Sequence, residues 1–143
     1  MLEENKSIIQ KMVDVINRHD LVMLDEFIMP EAVYYRNEVP INGLDVLKQA
    51  MNEEIKAFPD LHVTIEDMLA EGNKVCIRLR ETCTHTNDYQ GISPTGKIFV
   101  MEAVPHYRIV DGKIVEGWSI FNPLNYFTQL GVIEYKGFPD EIK

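Results

Sequence analysis

Several ionisable side chains in the second half of the sequence interrupt stretches that otherwise read as apolar faces of strands. Glu81 and His85 fall on the same alternation as Val75, Ile77 and Leu79, and Glu102 stands between Val100 and Val104. An apolar enclosure disfavours the charged form of such a group. A carboxyl held there is shifted toward the range where it both takes and gives a proton near neutrality. Four residues along a strand span roughly 13 Å, so Glu81 and His85 are separate groups on one wall, not a hydrogen-bonded pair. Facing inward, Glu102 is the best candidate for a carboxylate of raised pKa; facing outward, it is a solvated charge or half of an ion pair between subunits. His85 is either an acid–base or ligand-donor group in a pocket or the anchor of the loop that follows its strand.

Other side chains narrow the chemistry. Cys76 and Cys83 share one expected strand, and seven residues span roughly 23 Å, beyond the Cα separation of roughly 7 Å that a disulfide tolerates. With two cysteines and no CxxC, thiolate ligation of zinc is excluded. The methionines (Met12, Met23, Met29, Met51, Met68, Met101) are scattered over many elements and read as gap-fillers. Tyr34 and Tyr35 point to opposite sides of a strand, so one faces inward, where its hydroxyl wants a partner. Asp67 is out of place on an apolar alternation, unless it sits near the strand end at Glu71-Gly72.

The elements that must position these groups follow from periodicity. Ile8, Ile9, Met12, Val13 and Ile16 give a helix over Glu3–Asp20. A short second helix over Leu21–Ile28 has Asp20 as its cap, and Pro30 lies just past its end. A short strand, Ala32–Arg36, precedes a third helix whose stripe is Leu44, Leu47, Met51, Ile55 and Phe58, stopped by Pro59-Asp60. From Leu61 the period is two: Leu61, Val63, Ile65, Asp67 and Leu69 share a face, and Glu71-Gly72-Asn73 turns into a strand over Lys74–Thr86. After the loop 87–96, one long strand is expected over Lys97–Val110, and Asp111-Gly112 turns it into Lys113–Phe121. Asn122 as cap, Pro123 in first position, Leu124, Phe127 and Leu130 as buried face and Gly131 as stop describe a final helix. Helices followed by a strand meander give an α+β domain over 1–143, with a curved, mainly antiparallel sheet covered by the N-terminal helices and hollow at its open end.

With 143 residues and 45% hydrophobic content, one core is affordable and disorder is not expected. A net charge of −9 and no Lys/Arg cluster argue against nucleic acid and anionic membrane as partners. No apolar run approaches the roughly 20 residues of a membrane helix. The polar, acidic N-terminus lacks the pattern of a secretory signal, so a cytoplasmic protein is expected.

The ordered set Ala57-Phe58-Pro59-Asp60-Leu61, Ala70-Glu71-Gly72-Asn73-Lys74-Val75, Thr84-His85-Thr86, Pro94-Thr95-Gly96-Lys97, Tyr107 through Glu116, Trp118 and Gln129-Leu130-Gly131 resembles the SnoaL-like polyketide cyclases of the NTF2-like superfamily. The resemblance implies a cone-shaped α+β barrel with a small-molecule pocket, in a homodimer or larger assembly. It also implies ring closure by intramolecular aldol condensation with no metal and no cofactor. The founding enzymes' Asp on the last strand corresponds to Ser119 here, and their His to Pro105. A bulge at Pro105 would turn His106 into the vacated space; otherwise His106 is a surface residue beside Arg108. Because the Thr-His-Thr string resembles the family whatever the pocket, loop anchoring is the favoured role for His85. The acid–base set is thus drawn from Glu102, His106 and His85, and ligand contacts from Tyr35, Phe58, Met101, Trp118, Ser119 and Asn122. Trp118 also fits plain packing, and Asn122 fits plain capping. The ligand implied is a small, mainly apolar carbonyl compound; the alternative is a non-catalytic binding or dimerisation domain.

Overall fold

The computed structural model describes residues 1–134. Helix α1 spans Leu2–Asn17 and buries Ile9, Met12, Val13 and Val15. Its end is tied to the sheet by Asn17, whose amide donates to the Val63 carbonyl (2.8 Å) and accepts from the Val63 N–H (2.7 Å). The expected second helix is a 3₁₀ helix, Leu21–Glu26, and Asp20 makes no side-chain cap to it. Strand β1 then runs from Ile28 to Arg36, four residues longer at its start than the periodicity indicates. It turns through Asn37 and Glu38, both at positive φ (45° and 72°), into the edge strand β2, Val39–Asn42. Two successive positive φ values make the mirror-image turn that suits hairpin twist. No Asn-Gly or Asp-Gly marks it, which is why the sequence does not announce β2. Helix α2, Leu44–Ala57, follows the expected stripe.

Strands β3 (His62–Glu71), β4 (Lys74–Thr84), β5 (Ile98–Ala103), β6 (His106–Val110) and β7 (Lys113–Ser119) complete the sheet. Its order is β2-β1-β7-β6-β4-β3, with β5 also on β4; β1 and β7 run parallel and the other pairs antiparallel. The path is linear, so the sheet is not closed into a barrel. Register shifts in the β1/β7, β3/β4 and β6/β7 pairs bend and twist it. The shift in β3 lies between Ile65 and Asp67. It leaves Leu61, Val63 and Ile65 facing in but hands the inner face on to Met68 and Ala70. Asp67 and Leu69 are therefore exposed, which resolves the misplaced Asp67 and corrects the unbroken alternation.

The strand expected over Lys97–Val110 is two strands. Pro105, fully buried, interrupts it; its carbonyl accepts from Ile77 N–H (3.0 Å), while Val104 N–H turns to Ile120 (3.1 Å). Helix α3, Pro123–Leu130, has the expected punctuation: Asn122 Oδ1 accepts from the N–H groups of Leu124 (3.0 Å) and Asn125 (3.4 Å), and Gly131 ends it at φ 79°. Its buried side is Tyr126 and Leu130, however, and Leu124 faces solvent. Gln129 fixes the helix to β5 through two hydrogen bonds with the Val100 backbone (2.9 and 2.8 Å). Helix α1 packs on β3, α2 on β1 and α3 on β5. Between helices and sheet, Ile9, Leu24, Phe58, Val75, Ile77 and Phe99 are buried almost completely, each contributing roughly 1.5–3 kcal/mol.

Candidate functional site

Two hollows lie between the inner face of the sheet and its helical cover. The first, of about 140 Å³, is walled by aliphatic side chains of α1, the 3₁₀ helix, α2 and the strands. The second, of about 240 Å³, is walled by Phe58, Tyr89, Phe121, Tyr126 and Phe127, with Gln90, Met101 and Ser119. Five residues line both: Tyr34, Arg36, Glu54, Leu79 and Glu81. Four of the five are polar, so a belt of hydrogen-bonding and charged groups crosses an otherwise apolar interior.

Each member of the belt arrives by a simple rule. Tyr34 and Arg36 are two apart on β1 and share its inner face, and Glu81 continues the inner alternation of Val75, Ile77 and Leu79 on β4. Glu54 stands on the buried stripe of α2, three residues after Met51 and four before Phe58. Gly117 on β7 makes room for the Tyr34 ring. A Cβ there would lie 2.6 Å from Tyr34 Cδ2 and 3.0 Å from Tyr107 Cδ1, and those two rings stack with centroids 6.3 Å apart.

Arg36 Nη1 and Glu54 Oε1 are 2.5 Å apart, with both side chains largely enclosed (29% and 22% exposed). Burial works against the Arg36 charge, but Glu54 outweighs it and the guanidinium is held above its ordinary value. Glu81 has no salt bridge or hydrogen bond of its own among the described residues. Burial, reinforced by the nearby Glu54 charge and opposed by Arg36, pushes its carboxyl up to about 7. Burial also raises the Tyr34 phenol, an effect that the Ser119 hydroxyl and Arg36 reduce, and it lifts Tyr89 to about 12. Near neutral pH the belt therefore presents one carboxyl shared between its two protonation states, the Arg36–Glu54 ion pair and the neutral Tyr34 phenol.

The residues singled out from sequence divide by face. Phe58, Met101 and Ser119 line the second hollow. Glu102 does not point inward: its carboxylate lies on the outer face, exposed, 3.9 Å from Arg78. The inner face of β5 belongs to Phe99, Met101 and Ala103, an apolar set that competed with Val100 and Val104. His106 also stays outside. The break at Pro105 does not rotate it inward, and its ring stacks on Trp118 with centroids 4.6 Å apart. Trp118 in turn stacks on Tyr35 at 6.1 Å, so Trp118 and Tyr35 lie on the outer face as well; Tyr34 is the inward member of its pair. Asn122 is exposed and occupied in capping α3. Cys76 and Cys83 are both free.

His85 is fully buried but lines neither hollow. Its Nδ1 accepts from the Thr95 N–H (3.2 Å), which places the ring proton on Nε2. Its backbone bonds to Lys97 and Gly96, both 2.9 Å, complete the anchor. The loop so held carries Tyr89 against Phe58, with ring centroids 5.0 Å apart, and closes one side of the second hollow. Of the belt, the sequence marks Glu81 as a charge on an apolar alternation without assigning it to the acid–base set, and Arg36 and Glu54 are the charged groups it does not single out. The available signal was a charge beside apolar residues of one face, on a strand for Arg36 and on a helix stripe for Glu54.

The sequence matches the SnoaL-like polyketide cyclase family over residues 6–130. A search of curated proteins returned no match. Among solved structures, AclR from Streptomyces galilaeus, described as a candidate hydroxylase, is 31% identical with a TM-score of 0.85, over 94% of this chain and 100% of that one. IdmH from Streptomyces antibioticus, described as a candidate polyketide cyclase, is 28% identical with a TM-score of 0.80, over 90% of this chain and 99% of that one. A candidate SnoaL-like polyketide cyclase from Jannaschia sp. CCS1 shares the fold at 17% identity and a TM-score of 0.85, over 94% and 96% of the two chains. With its helices laid on a mixed, mostly antiparallel sheet, the chain belongs to the SnoaL-like polyketide cyclase family.

Proposed function

We propose that this protein binds a small, mainly apolar carbonyl compound between sheet and helices. It then cyclises or isomerises that compound by cofactor-free acid–base chemistry, with Glu81 as the proton carrier. The observation that carries the reading is the position of Glu81: an unpaired carboxyl on the wall of both hollows, at the junction where a bound carbonyl chain would cross. In its charged form Glu81 removes a proton from the carbon between two carbonyls. The Tyr34 hydroxyl and the Arg36 guanidinium lie on the same belt to stabilise the enolate oxygen. The enolate carbon attacks a further carbonyl of the same molecule, beyond the two that flank it, forming a C–C bond as that carbonyl's π bond opens to an alkoxide, which takes the proton back from Glu81. The carboxyl ends in the state in which it began. Ser119, where the founding enzymes carry a carboxylate, is left as a neutral lining group.

The test needs no knowledge of the natural substrate. In deuterated buffer, 1-phenylbutane-1,3-dione bound by the protein should exchange its C2 protons faster than in buffer alone. Glu81→Gln should lower that acceleration by 100-fold or more, while Glu102→Gln and His106→Ala should leave it within twofold. Unchanged exchange in Glu81→Gln would remove Glu81 from the mechanism.

The absence of a carboxylate at Ser119 and of a histidine at Pro105 favours a second reading, a non-catalytic binding domain, which predicts saturable binding of the dione with no accelerated exchange. A hydroxylation, the chemistry in the description of AclR, would instead consume dioxygen with bound substrate. The same proposal includes a cytoplasmic homodimer or larger homo-oligomer formed through the outer face of the sheet. There the half-buried Tyr35–Trp118–His106 stack would face a second copy. Sedimentation at micromolar concentration should give at least a dimer, and a monomer would contradict it.

A further inference from the structure

The two hollows differ in chemistry as well as position, and the difference specifies a ligand of two unlike halves. Apart from the shared belt, Tyr107 and Gly117, the first is lined by branched or unbranched aliphatic side chains, among them Ile16, Leu24, Leu47, Met51, Ile55 and Val63. Such a wall offers dispersion contacts in every direction and no hydrogen bond. The second is lined by rings: Phe58, Tyr89 and Tyr126 meet at steep angles with centroids 5.0 to 6.3 Å apart, presenting edges and faces to a flat guest. Between them lie Glu81 and the Arg36–Glu54 pair.

We infer that the first hollow is a subsite for a saturated carbon chain, and that the substrate class is a ring-bearing compound with a 1,3-dicarbonyl unit and an aliphatic tail. The ring lies in the aromatic hollow, the carbonyls at the belt, and the tail in the aliphatic hollow. Size sets the tail length. A dry apolar cavity of about 150 Å³ takes a guest the size of benzene, so a cavity of about 140 Å³ admits a chain of about five or six carbons. The inference rests on the proposed role of Glu81 only for the placement of the carbonyls.

A chain-length series of 1-phenylalkane-1,3-diones, with methyl, propyl, pentyl, heptyl and nonyl tails, tests it by calorimetric titration. Each CH₂ moved from water into an apolar site contributes about 0.8 kcal/mol, or close to fourfold in affinity. Kd should therefore tighten about threefold to fourfold per carbon up to pentyl and then stop improving. Met51→Phe, which fills the aliphatic hollow, should cut the pentyl-to-methyl affinity ratio at least tenfold. Because that ratio is taken on a single protein, a partial loss of folded material does not mimic the effect. A Kd constant within twofold from methyl to pentyl, or one that tightens without limit through nonyl, would overturn the subsite. A ratio untouched in Met51→Phe would do the same. Deuterium exchange on the same diones keeps the two ideas apart: a chain-length optimum without Glu81-dependent exchange sustains the subsite and defeats the mechanism, and the reverse result does the opposite.

Discussion

Glu81 and Glu102 stand on neighbouring strands, and β-sheet register pairs them one residue out of phase: Glu81 lies opposite Met101, and Arg80 opposite Glu102. That single step separates a carboxyl enclosed among apolar side chains and held up to about 7 from one that keeps its water and faces Arg78. The same step separates Tyr34, stacked on Tyr107 inside, from Tyr35, stacked on Trp118 outside. Chemical potential in this fold thus depends on which face a side chain occupies, and residue type alone does not decide it.

The largest effect expected from that contrast is on stability as a function of pH. Glu81 holds its proton in the fold up to about 7, whereas its ordinary value is 4.5. Between those values the folded state is protonated and the unfolded chain is not. The associated stabilisation is complete below about pH 4.5 and disappears as pH rises through 7. The difference amounts to about 3 kcal/mol. Urea melts from pH 5 to 8 should show stability declining across this window in the native protein and a flatter profile in Glu81→Gln, which should be the more stable of the two at pH 8. Equal slopes would remove the contrast between the faces.

A smaller effect comes from the inner stack. Gly117→Ala sets a Cβ within 2.6 Å of the Tyr34 ring, and overpacking of this kind costs about 1–3 kcal/mol. The neighbouring outer position, Trp118→Phe, should be tolerated better by thermal melting. Smallest is Glu102→Gln: its partner is 3.9 Å away and both side chains are at least half exposed, so the change should stay within about 0.5 kcal/mol.

Much of this arrangement was legible in the residues. The stripes of α1 and α2, the Asp111-Gly112 hairpin, and the Asn122–Pro123–Gly131 punctuation of α3 are local signals, and local structure obeys them. The failures share a physical cause. Period-two reasoning carries a face forward only while the ladder is regular, and the register shift between Ile65 and Asp67 reverses it midway along β3. On β5 both alternations are apolar, Phe99-Met101-Ala103 against Val100-Val104, so parity could not say which way Glu102 points. For Pro105 the residues leave two outcomes open, a bulge that turns His106 inward or a His106 that stays at the surface beside Arg108. The structure has the second: Pro105 ends one strand and starts the next, leaving His106 on the Trp118 face. Glu81 was recognised as a charge on an apolar alternation. Its weight was not, because the Arg36–Glu54 pair beside it is formed between a strand and a helix 18 residues apart, which no local pattern encodes.

The central claim is that the interior holds one carboxyl poised near neutrality by its enclosure among apolar side chains. Side-chain ¹³C-labelled glutamate, followed by NMR through a pH titration, measures this directly. One carboxyl resonance should titrate near pH 7 and be missing from the spectrum of Glu81→Gln. If every glutamate carboxyl in the native protein instead titrated between about pH 4 and 5, the enclosed acid–base group would not exist.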